Sequence, residues 1–493
     1  MQHGGPPPSA AGIDPADLVA LRDRLGHAGL DDHIFRVTET IGAGMIDPLR
    51  LPLVRQALRA RGDAVSTLAL LLVYATPVAE KDLRAAVGDA ASDLLIRCGI
   101  VAPAEDGEVV SRLRVTPFGP LLIAADHPDA GPEAVMTPGG TTSLLANLIP
   151  DEISGRVLDV GTGPGTLALL AAARGADAVG TDVSERALAF ASFNATLNGL
   201  SVDLRLGDLL APVAGEQFAL VVSQPPYVVQ PQEMEHVTFM HGGTRGDDLA
   251  LALAAAVSDV LTPGGVALLK FDMPLADGET ATEHVRAVVG PAVSVAVFEQ
   301  PGAGFHLQAV SYAALHDPTL GADFAERARM YCAHFAGLGV RRAAATTVVL
   351  VRPADAAAPR FTAGVAARAL SDWDALRRRL TALEAAVQDD DGVLGIRVRA
   401  AEGCRLAVER EVDGADGERR YFARFEPGAA VSDTELAPIE AALLQRVGGG
   451  ALVADVVAGF ADEIGAEPAA AAEPVLNFVR ENVARGLLVL ADQ

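Results

Sequence analysis

The stretch that decides the fold of this chain is Val157-Leu158-Asp159-Val160-Gly161-Thr162-Gly163-Pro164-Gly165. Its apolar first half predicts a buried strand, and its glycines predict a tight turn before a helix at 167–173. Glycine has no Cβ, so the backbone there can turn sharply and approach a bulky nucleotide. The dinucleotide fingerprint G-x-G-x-x-G needs its third glycine where this chain has Thr166. The turn therefore predicts a nucleotide site that differs from a NAD or FAD site.

Short apolar runs alternate with helical stretches on both sides of this turn. Such alternation predicts a mostly parallel sheet with helices on both faces, an α/β domain of Rossmann-like type over residues 141–352. The predicted strands are 156–160, 178–181, 203–206, 218–222, 266–271, 293–298, 307–312 and 344–351.

Two further regions flank this predicted sheet. Residues 1–13 are expected to form a disordered tail, and 14–140 a helical domain that serves as a lid or a dimer surface. Within it, two helices followed by strand-like residues have the winged-helix order, although any small helical cap with a hairpin gives the same pattern. Residues 353–493 predict a small α+β domain for packing or partner binding, with a helical or winged-helix module at its end.

The chain is strongly acidic, with 493 residues and a formal net charge of −25. Proteins that bind phosphate backbones usually carry a basic face, because neutralising phosphates supplies much of the affinity. The largest cationic cluster, 377–379, lies in a helical stretch where a solvated face is expected. The composition therefore disfavours nucleic acid as a partner.

Cysteine usage and hydropathy predict the compartment. Cys98, Cys332 and Cys404 are far apart and none belongs to a C-x-x-C pair, so neither a disulfide framework nor a metal site is expected. No apolar run reaches the roughly 20 residues that span a bilayer. The first residues lack the charged and apolar regions of a signal peptide. We expect a cytoplasmic protein with no membrane contact.

A second motif, Ser223-Gln224-Pro225-Pro226-Tyr227, directly follows the predicted strand 218–222. It resembles the [Asn/Asp/Ser]-Pro-Pro-[Tyr/Phe] motif of class I S-adenosylmethionine-dependent methyltransferases that alkylate nitrogen. The D-x-G-x-G-x-G run from Asp159 resembles the first motif of the same class. The resemblance implies the class I fold, S-adenosylmethionine as cofactor, and acceptor binding by residues 224–227. The chain departs from the pattern at Gln224, whose side-chain oxygen stands one methylene further out than that of asparagine.

Two more segments, 186–199 and 241–247, are similar to segments of release-factor glutamine and ribosomal-RNA guanine N-methyltransferases. Residues 15–352 as a whole resemble actinobacterial and myxobacterial methyltransferases of unassigned substrate. The resemblance places the methionine amino group near Asp159, the ribose on Asp182, and the adenine beside Asp208. A carboxylate at 182 suits NAD enzymes equally, and Asp208 alone could cap a turn. The implied cofactor-binding residues are Asp159, Gly161, Thr162, Gly163, Gly165, Asp182, Val183, Gly207, Asp208, Leu209 and Gln224.

Candidate substrate residues follow the catalytic strand, where substrate loops sit. They are His236, His241 and Arg245, and for a lone histidine in a loop a plain surface position is the alternative. Thr141 and Thr142 could line the pocket, but we expect them to N-cap a helix at 143–148.

The combined features predict methyl transfer to a nitrogen of a small molecule or peptide. Amide and aniline-type nitrogens are poor nucleophiles, and two acceptors, the side-chain and backbone oxygens of Gln224, can bind their protons and orient the lone pair. Positioning then supplies much of the rate. The alternatives are a ribosome- or rRNA-directed N-methyltransferase, a small-molecule O-methyltransferase and an inactive cofactor-binding interaction protein. A homodimer is a further prediction.

Overall fold

The N-terminal region is helical and includes a small sheet. A computed structural model describes residues 5–31, 34, 51–127, 130–316, 320–366, 370–410, 419–426, 431 and 433–491. Two antiparallel sheets, in the orders β1-β3-β2 and β4-β5, complete the region. Its elements are α1 (Pro15–His27), α2 (Leu51–Arg61), α3 (Ala64–Leu68, continued by a π-helix Ala69–Val73), β1 (Val78–Ala79), α4 (Glu80–Val87), α5 (Asp89–Arg97), β2 (Val101–Pro103), β3 (Glu108–Ser111), β4 (Arg114–Phe118) and β5 (Leu121–Ala125).

The order from α3 to β3 is that of a winged helix, because a short strand, two helices and a hairpin follow the first helix. The strand-like stretch at 109–115 divides between β3 and β4, which belong to different sheets. Helix α2 is described from Leu51, and residues 47–50 lie outside the described part of the chain.

Residues 5–13 are ordered against the protein, so the predicted disordered tail is wrong for them. The Ser9 N–H donates to the Cys98 carbonyl at 3.0 Å, and Arg186 Nη2 donates to the Gly5 carbonyl at 2.7 Å. Pro8 and Ile13 are buried. The segment lacks periodicity because its contacts come from single prolines and carbonyl oxygens. Residues 1–4 lie outside the described part of the chain.

The central domain is built on an eight-stranded sheet with the order β13-β11-β12-β10-β9-β6-β7-β8. Its strand pairs are parallel except those of β12, which runs antiparallel to both neighbours. Its elements are α6 (Gly140–Asn147), β6 (Arg156–Val160), α7 (Thr166–Ala173), β7 (Asp177–Asp182), α8 (Glu185–Asn198), β8 (Asp203–Leu206), β9 (Phe218–Ser223), α9 (Asp248–Ala256), β10 (Leu261–Leu275), α10 (Ala281–Val288), β11 (Ser294–Gly304), α11 (Phe305–His316), α12 (Phe324–Gly337), β12 (Arg342–Val351) and β13 (Thr362–Ala366).

Alternate residues of the central strands pack on opposite faces of the sheet. Val157 and Leu268 join one core with α6 and α7, whereas Leu158 and Leu269 join a second core with α9 and α10. This two-sided burial explains why the strands are nearly continuous apolar runs.

The predicted strand at 307–312 is wrong, because these residues lie inside α11. Ala309, Tyr312 and Ala313 are the buried residues of the helix, at the i, i+3, i+4 spacing of one helical face. The sheet also extends past residue 352, since β13 pairs in parallel with β11.

The C-terminal region is α+β and contains two three-stranded sheets, in the orders β18-β14-β19 and β15-β16-β17. The order from α15 to β19 is helix, strand, two helices and a strand, which matches the winged-helix order except for the second strand of the hairpin. Within the described residues, no helix is both long and apolar enough to cross a bilayer. The elements are α13 (Trp373–Ala386), α14 (Asp390–Leu394), β14 (Arg397–Ala400), β15 (Arg405–Arg410), β16 (Arg419–Arg424), β17 (Thr434–Leu436), α15 (Pro438–Val447), β18 (Ala451–Leu452), α16 (Val453–Ile464), α17 (Pro468–Arg485) and β19 (Leu488–Leu490).

Candidate functional site

A cleft opens where the strand order of the central sheet reverses. β6 and β9 are neighbours, and the chain proceeds outward from them in opposite directions. In such sheets ligands bind at the carboxyl ends of the strands at this switch point. A cavity of about 590 Å³ lies there, within the usual size of a cofactor site. Its walls include residues 159–164, 181–184, 207–209 and 223–228.

The glycine-rich turn after β6 forms the floor of this cavity. The N–H groups of Gly161 and Thr162 both donate to the Thr181 carbonyl at 2.9 Å, which joins the turn to β7. Gly165 has a φ of 86°, and a Cβ there would lie 3.0 Å from the Cβ of Ala191 in α8. Only glycine suits both the left-handed backbone and the close helix.

The buried side chain of Asp159 joins the glycine-rich turn to the start of α7. Its Oδ2 accepts hydrogen bonds from Thr162 Oγ1 at 2.7 Å and from the Ala168 N–H at 3.1 Å. The side chain is almost fully buried, and this burial raises the pKa of Asp159 to about 6. Asp159 lines the cavity, so its carboxylate is available to a cation bound there.

Asp182, at the end of β7, holds the next wall. Its Oδ2 accepts a hydrogen bond from the Gly163 N–H and its Oδ1 one from the Ser184 N–H, both at 2.9 Å. Burial raises the pKa of Asp182. Val183 beside it is 54% exposed, which leaves an apolar surface at the cavity edge.

Residues 207–209 form a tight turn against Asp182. The Gly207 N–H donates to the Asp182 carbonyl at 2.9 Å, and the Leu209 carbonyl accepts from Thr181 Oγ1 at 3.3 Å. Gly207, Asp208 and Leu209 all line the cavity. Of the residues that the sequence assigned to the cofactor, all but Gly165 line this cavity, and Gly165 packs against α8.

The motif at 223–227, which begins with the last residue of β9, forms a further wall of the same cavity. Ser223 is fully buried, and its Oγ donates to the Val160 carbonyl at 2.7 Å, which ties the motif to β6. Gln224 is half-buried, and its Oε1 accepts a hydrogen bond from Thr142 Oγ1 at 3.0 Å. Motif and turn are thus anchored to the same strand.

Thr141 and Thr142 line the cavity, and neither is the N-cap residue of a helix. The prediction that they N-cap a helix at 143–148 is wrong, because α6 begins at Gly140 and Gly139 occupies the N-cap position. Thr142 therefore stands in the first turn of the helix, from which its hydroxyl reaches Gln224.

Tyr227 lies near a polar cluster formed by Asp272 and Gln308. Burial, and then the nearby Asp272 carboxylate, raise the pKa of Tyr227 to about 12, so its phenol stays neutral. Asp272 Oδ2 accepts a hydrogen bond from Gln308 Nε2 at 2.9 Å. Burial also raises the pKa of Asp272. Sequence reasoning missed Asp272 and Gln308, because neither belongs to a local motif.

His236 and His241 line the cavity, whereas Arg245 is not among the described residues of its wall. Arg245 Nη2 donates to the Pro274 carbonyl at 3.0 Å, and its Nε lies 3.3 Å from Asp247 Oδ1. Arg245 thus braces the glycine-rich segment 241–247 and does not line this cavity.

His241 belongs to a buried chain of aromatic side chains. Its Nδ1 accepts the Val237 N–H at 2.9 Å, so the proton of the neutral ring is on Nε2, which lies 3.2 Å from Tyr331 Oη. Tyr331 Oη lies in turn 2.8 Å from His316 Nε2. Burial lowers the pKa of both histidines to about 4. Sequence reasoning missed Tyr331 and His316, because these residues of the helical pair α11–α12 belong to no local motif.

Comparison with known proteins was made for the whole chain. Residues 138–243 match the family described as methyltransferase small domain. A release factor glutamine methyltransferase from Deinococcus radiodurans is 38% identical over 173 residues, 32% of this chain and 62% of that protein. One from Koribacter versatilis is 36% identical over 160 residues, 29% of this chain and 57% of that protein. A solved ribosomal protein L11 methylase from Lactobacillus delbrueckii subsp. bulgaricus is 27% identical with a TM-score of 0.22, covering 28% of this chain and 63% of that chain.

Both cavity motifs lie within the matched residues, at the switch point of a mostly parallel sheet. The central domain has the fold of class I methyltransferases, and residues 138–243 are similar to the methyltransferase small domain. The predicted fold class is therefore confirmed. The chain spans less than two thirds of the length of the curated relatives it matches.

S-adenosylmethionine is the cofactor of class I methyltransferases, and the residues that line this cavity fit it. The donor set matches the three parts of that molecule, with carboxylates at Asp159 and Asp182 for its ammonium and hydroxyl groups and the turn at 207–209 for its base. Within the part of the chain that the structure describes, no group of His, Cys, Asp and Glu is arranged to hold a metal ion.

Proposed function

We propose that this chain transfers the methyl group of S-adenosylmethionine to a nitrogen atom of a small molecule or peptide. The observation that carries the proposal is that residues 224–227 and the glycine-rich turn line one cavity and are anchored to the same strand through Ser223. An acceptor held by the motif would therefore lie beside the cofactor.

The motif supplies positioning and not base catalysis. Pro225 and Pro226 restrict the backbone, which fixes the Gln224 carbonyl as an acceptor for a substrate N–H. The neutral phenol of Tyr227 offers a ring on which a planar group can stack. When bound, S-adenosylmethionine supplies an activated methyl group, so holding a weakly nucleophilic nitrogen in line supplies much of the rate.

A peptide is the form of acceptor that the relatives favour. Release factor glutamine methyltransferases, to which this chain is similar, are named for an acceptor within a protein. The net charge of −25 opposes an RNA acceptor, since the chain would repel phosphates. We also infer a cytoplasmic location, because Cys98, Cys332 and Cys404 are all free. A homodimer remains a prediction.

The test has two parts. Calorimetry should show S-adenosylhomocysteine binding with micromolar or tighter affinity, and NADH should not compete. Tritium from labelled S-adenosylmethionine should then be measured in bacterial release factors, glutamine-containing peptides and ribosomes.

We expect label in the protein or peptide acceptors and N-methylated product by mass spectrometry. Label in ribosomal RNA, or an O-methyl product, would overturn the proposed acceptor. An absence of S-adenosylhomocysteine binding would overturn the proposal as a whole.

A further inference from the structure

The hydrogen bonds around Thr142 have a defined direction. Thr142 Oγ1 accepts the N–H of Gly139 at 3.4 Å, and a backbone N–H can only donate. The single hydroxyl proton of Thr142 is then available for Gln224 Oε1 at 3.0 Å. The side-chain oxygen of Gln224 therefore faces α6.

This arrangement leaves the other end of the Gln224 amide for a ligand. Its Nε2 carries two protons, and among the described residues no hydrogen-bond partner accepts them. Gln224 is half-buried and lines the cavity together with Tyr227, so these protons remain for a ligand bound there. In the motif that this chain resembles, the corresponding side chain of asparagine, aspartate or serine presents an oxygen.

We propose that Gln224 is a specificity-determining residue that donates its amide N–H to a lone pair on the acceptor molecule, next to the nitrogen that is methylated. The inference rests on the proposed function of the cavity. The proposed role of Gln224 narrows the acceptor molecule to one with a hydrogen-bond acceptor next to the methylated nitrogen. This group can be a carbonyl oxygen, a carboxylate or an unprotonated ring nitrogen. Simple alkyl amines are disfavoured, because at neutral pH they are ammonium ions that carry only donors.

A second residue of the cavity wall has the complementary polarity. Gln230 Nε2 donates to the carbonyls of Pro231 at 3.3 Å and Met234 at 3.0 Å, which turns Gln230 Oε1 toward His236. His236 Nδ1 lies 3.0 Å from that oxygen and must donate to it, so the neutral ring keeps its lone pair on Nε2. Among the lining residues, Gln224 thus supplies a donor and His236 an acceptor, which matches a planar group that has both.

The experiment compares two probes of equal ring size, benzamide and benzylamine, on the protein saturated with S-adenosylhomocysteine. Saturation-transfer NMR measures the binding of each probe without requiring turnover. We expect the wild-type protein to bind benzamide at least about tenfold more tightly than benzylamine. Gln224→Glu replaces the donors by a charged acceptor, so the preference should reverse by a similar factor.

Three variants separate polarity from folding. Gln224→Met has a similar length and no polar atom, so benzamide binding should fall without a gain in benzylamine binding. Thr142→Val removes the hydroxyl that orients the amide and should reduce the preference, while Thr142→Ser should keep it. Thr196→Val serves as the matched control, because Thr196 Oγ1 bonds only within α8, to the Ser192 carbonyl at 3.0 Å. Thermal melts confirm that each variant is folded.

The possible failures are distinguishable. If S-adenosylhomocysteine does not bind, the proposed function fails. If it binds but Gln224→Glu and Gln224→Met leave benzamide binding unchanged, or if the wild-type protein prefers benzylamine, the role of Gln224 is overturned and the proposed function stands.

Discussion

Gly242 packs directly on the carbonyl oxygen of Pro226, so closely that a Cβ on Gly242 would lie 2.2 Å from that oxygen and 2.0 Å from the Gly246 carbonyl oxygen. No side chain fits between these two backbone groups. The glycine-rich segment after the motif therefore fixes the position of the second proline.

Gly242→Ala is expected to displace the motif. Overpacking of this kind typically costs about 1–3 kcal/mol of stability, and the shift of Pro226 should also lower methyl transfer. Thermal unfolding and label transfer to a peptide measure the two effects. Gly337→Ala is the control, because a Cβ there meets no atom within 4 Å. Equal stability of the two variants would contradict the packing argument.

Asp182→Ala should weaken S-adenosylhomocysteine binding by at least about tenfold, on the scale of a lost charge-assisted hydrogen bond. The change removes the carboxylate expected to bind the ribose and also frees the Gly163 N–H. Calorimetry measures the affinity. Asp177→Ala is a suitable comparison, since Asp177 begins the same strand and is exposed. An unchanged affinity for the Asp182 variant would place the ribose elsewhere.

Asp159→Asn is expected to stabilise the ligand-free protein near pH 7.5. Burial raises the pKa of Asp159 to about 6, so the stability contributed by the protonated carboxyl is full below pH 3.8 and is lost as pH rises through 6. The pKa difference corresponds to roughly 3 kcal/mol at high pH. Asparagine keeps an oxygen for Thr162 and Ala168 without the charge. Melting curves should show the largest gain at pH 7.5 and little gain at pH 4, while calorimetry should show weaker cofactor-product binding.

Acid should loosen the helical pair α11–α12. Burial lowers the pKa of His241 and His316 to about 4, so the stability from their neutral forms is present above pH 6.5 and lost as pH falls toward 4. His236 and Arg327 are the other basic side chains near them. The amide exchange rates of 305–316 and 324–337, taken relative to the intrinsic rate at each pH, report the opening of the helices. As pH falls from 7 to 5, these relative rates should rise more steeply in the wild type than in His316→Gln. His27→Gln, in exposed α1, should behave as the wild type. Identical profiles for all three proteins would exclude the histidines as the cause.

The sequence predicts those parts of the site that lie in short motifs. The turn at 161–165 and the motif at 223–227 are each encoded by neighbouring residues, so their strands, turns and common location could be predicted. Thr142 could not be matched with Gln224, because the two are brought together only by the packing of α6 against the sheet. The strand predicted at 307–312 was wrong for another reason. The apolar residues of α11 fit both a strand and one face of a helix.

The helical pair α11–α12 leaves and re-enters the sheet at paired positions, since Gly304 lies directly opposite Arg342 in adjacent antiparallel strands. A short hairpin loop could close that gap without altering any strand register. The helical pair touches the cavity through Leu315 and through the contact of Tyr331 with His241, so it is an exchangeable cassette behind one cavity wall. Grafting residues 305–341 between homologous sheets would replace this support while leaving the strands that carry the glycine-rich turn and the motif at 223–227 unchanged.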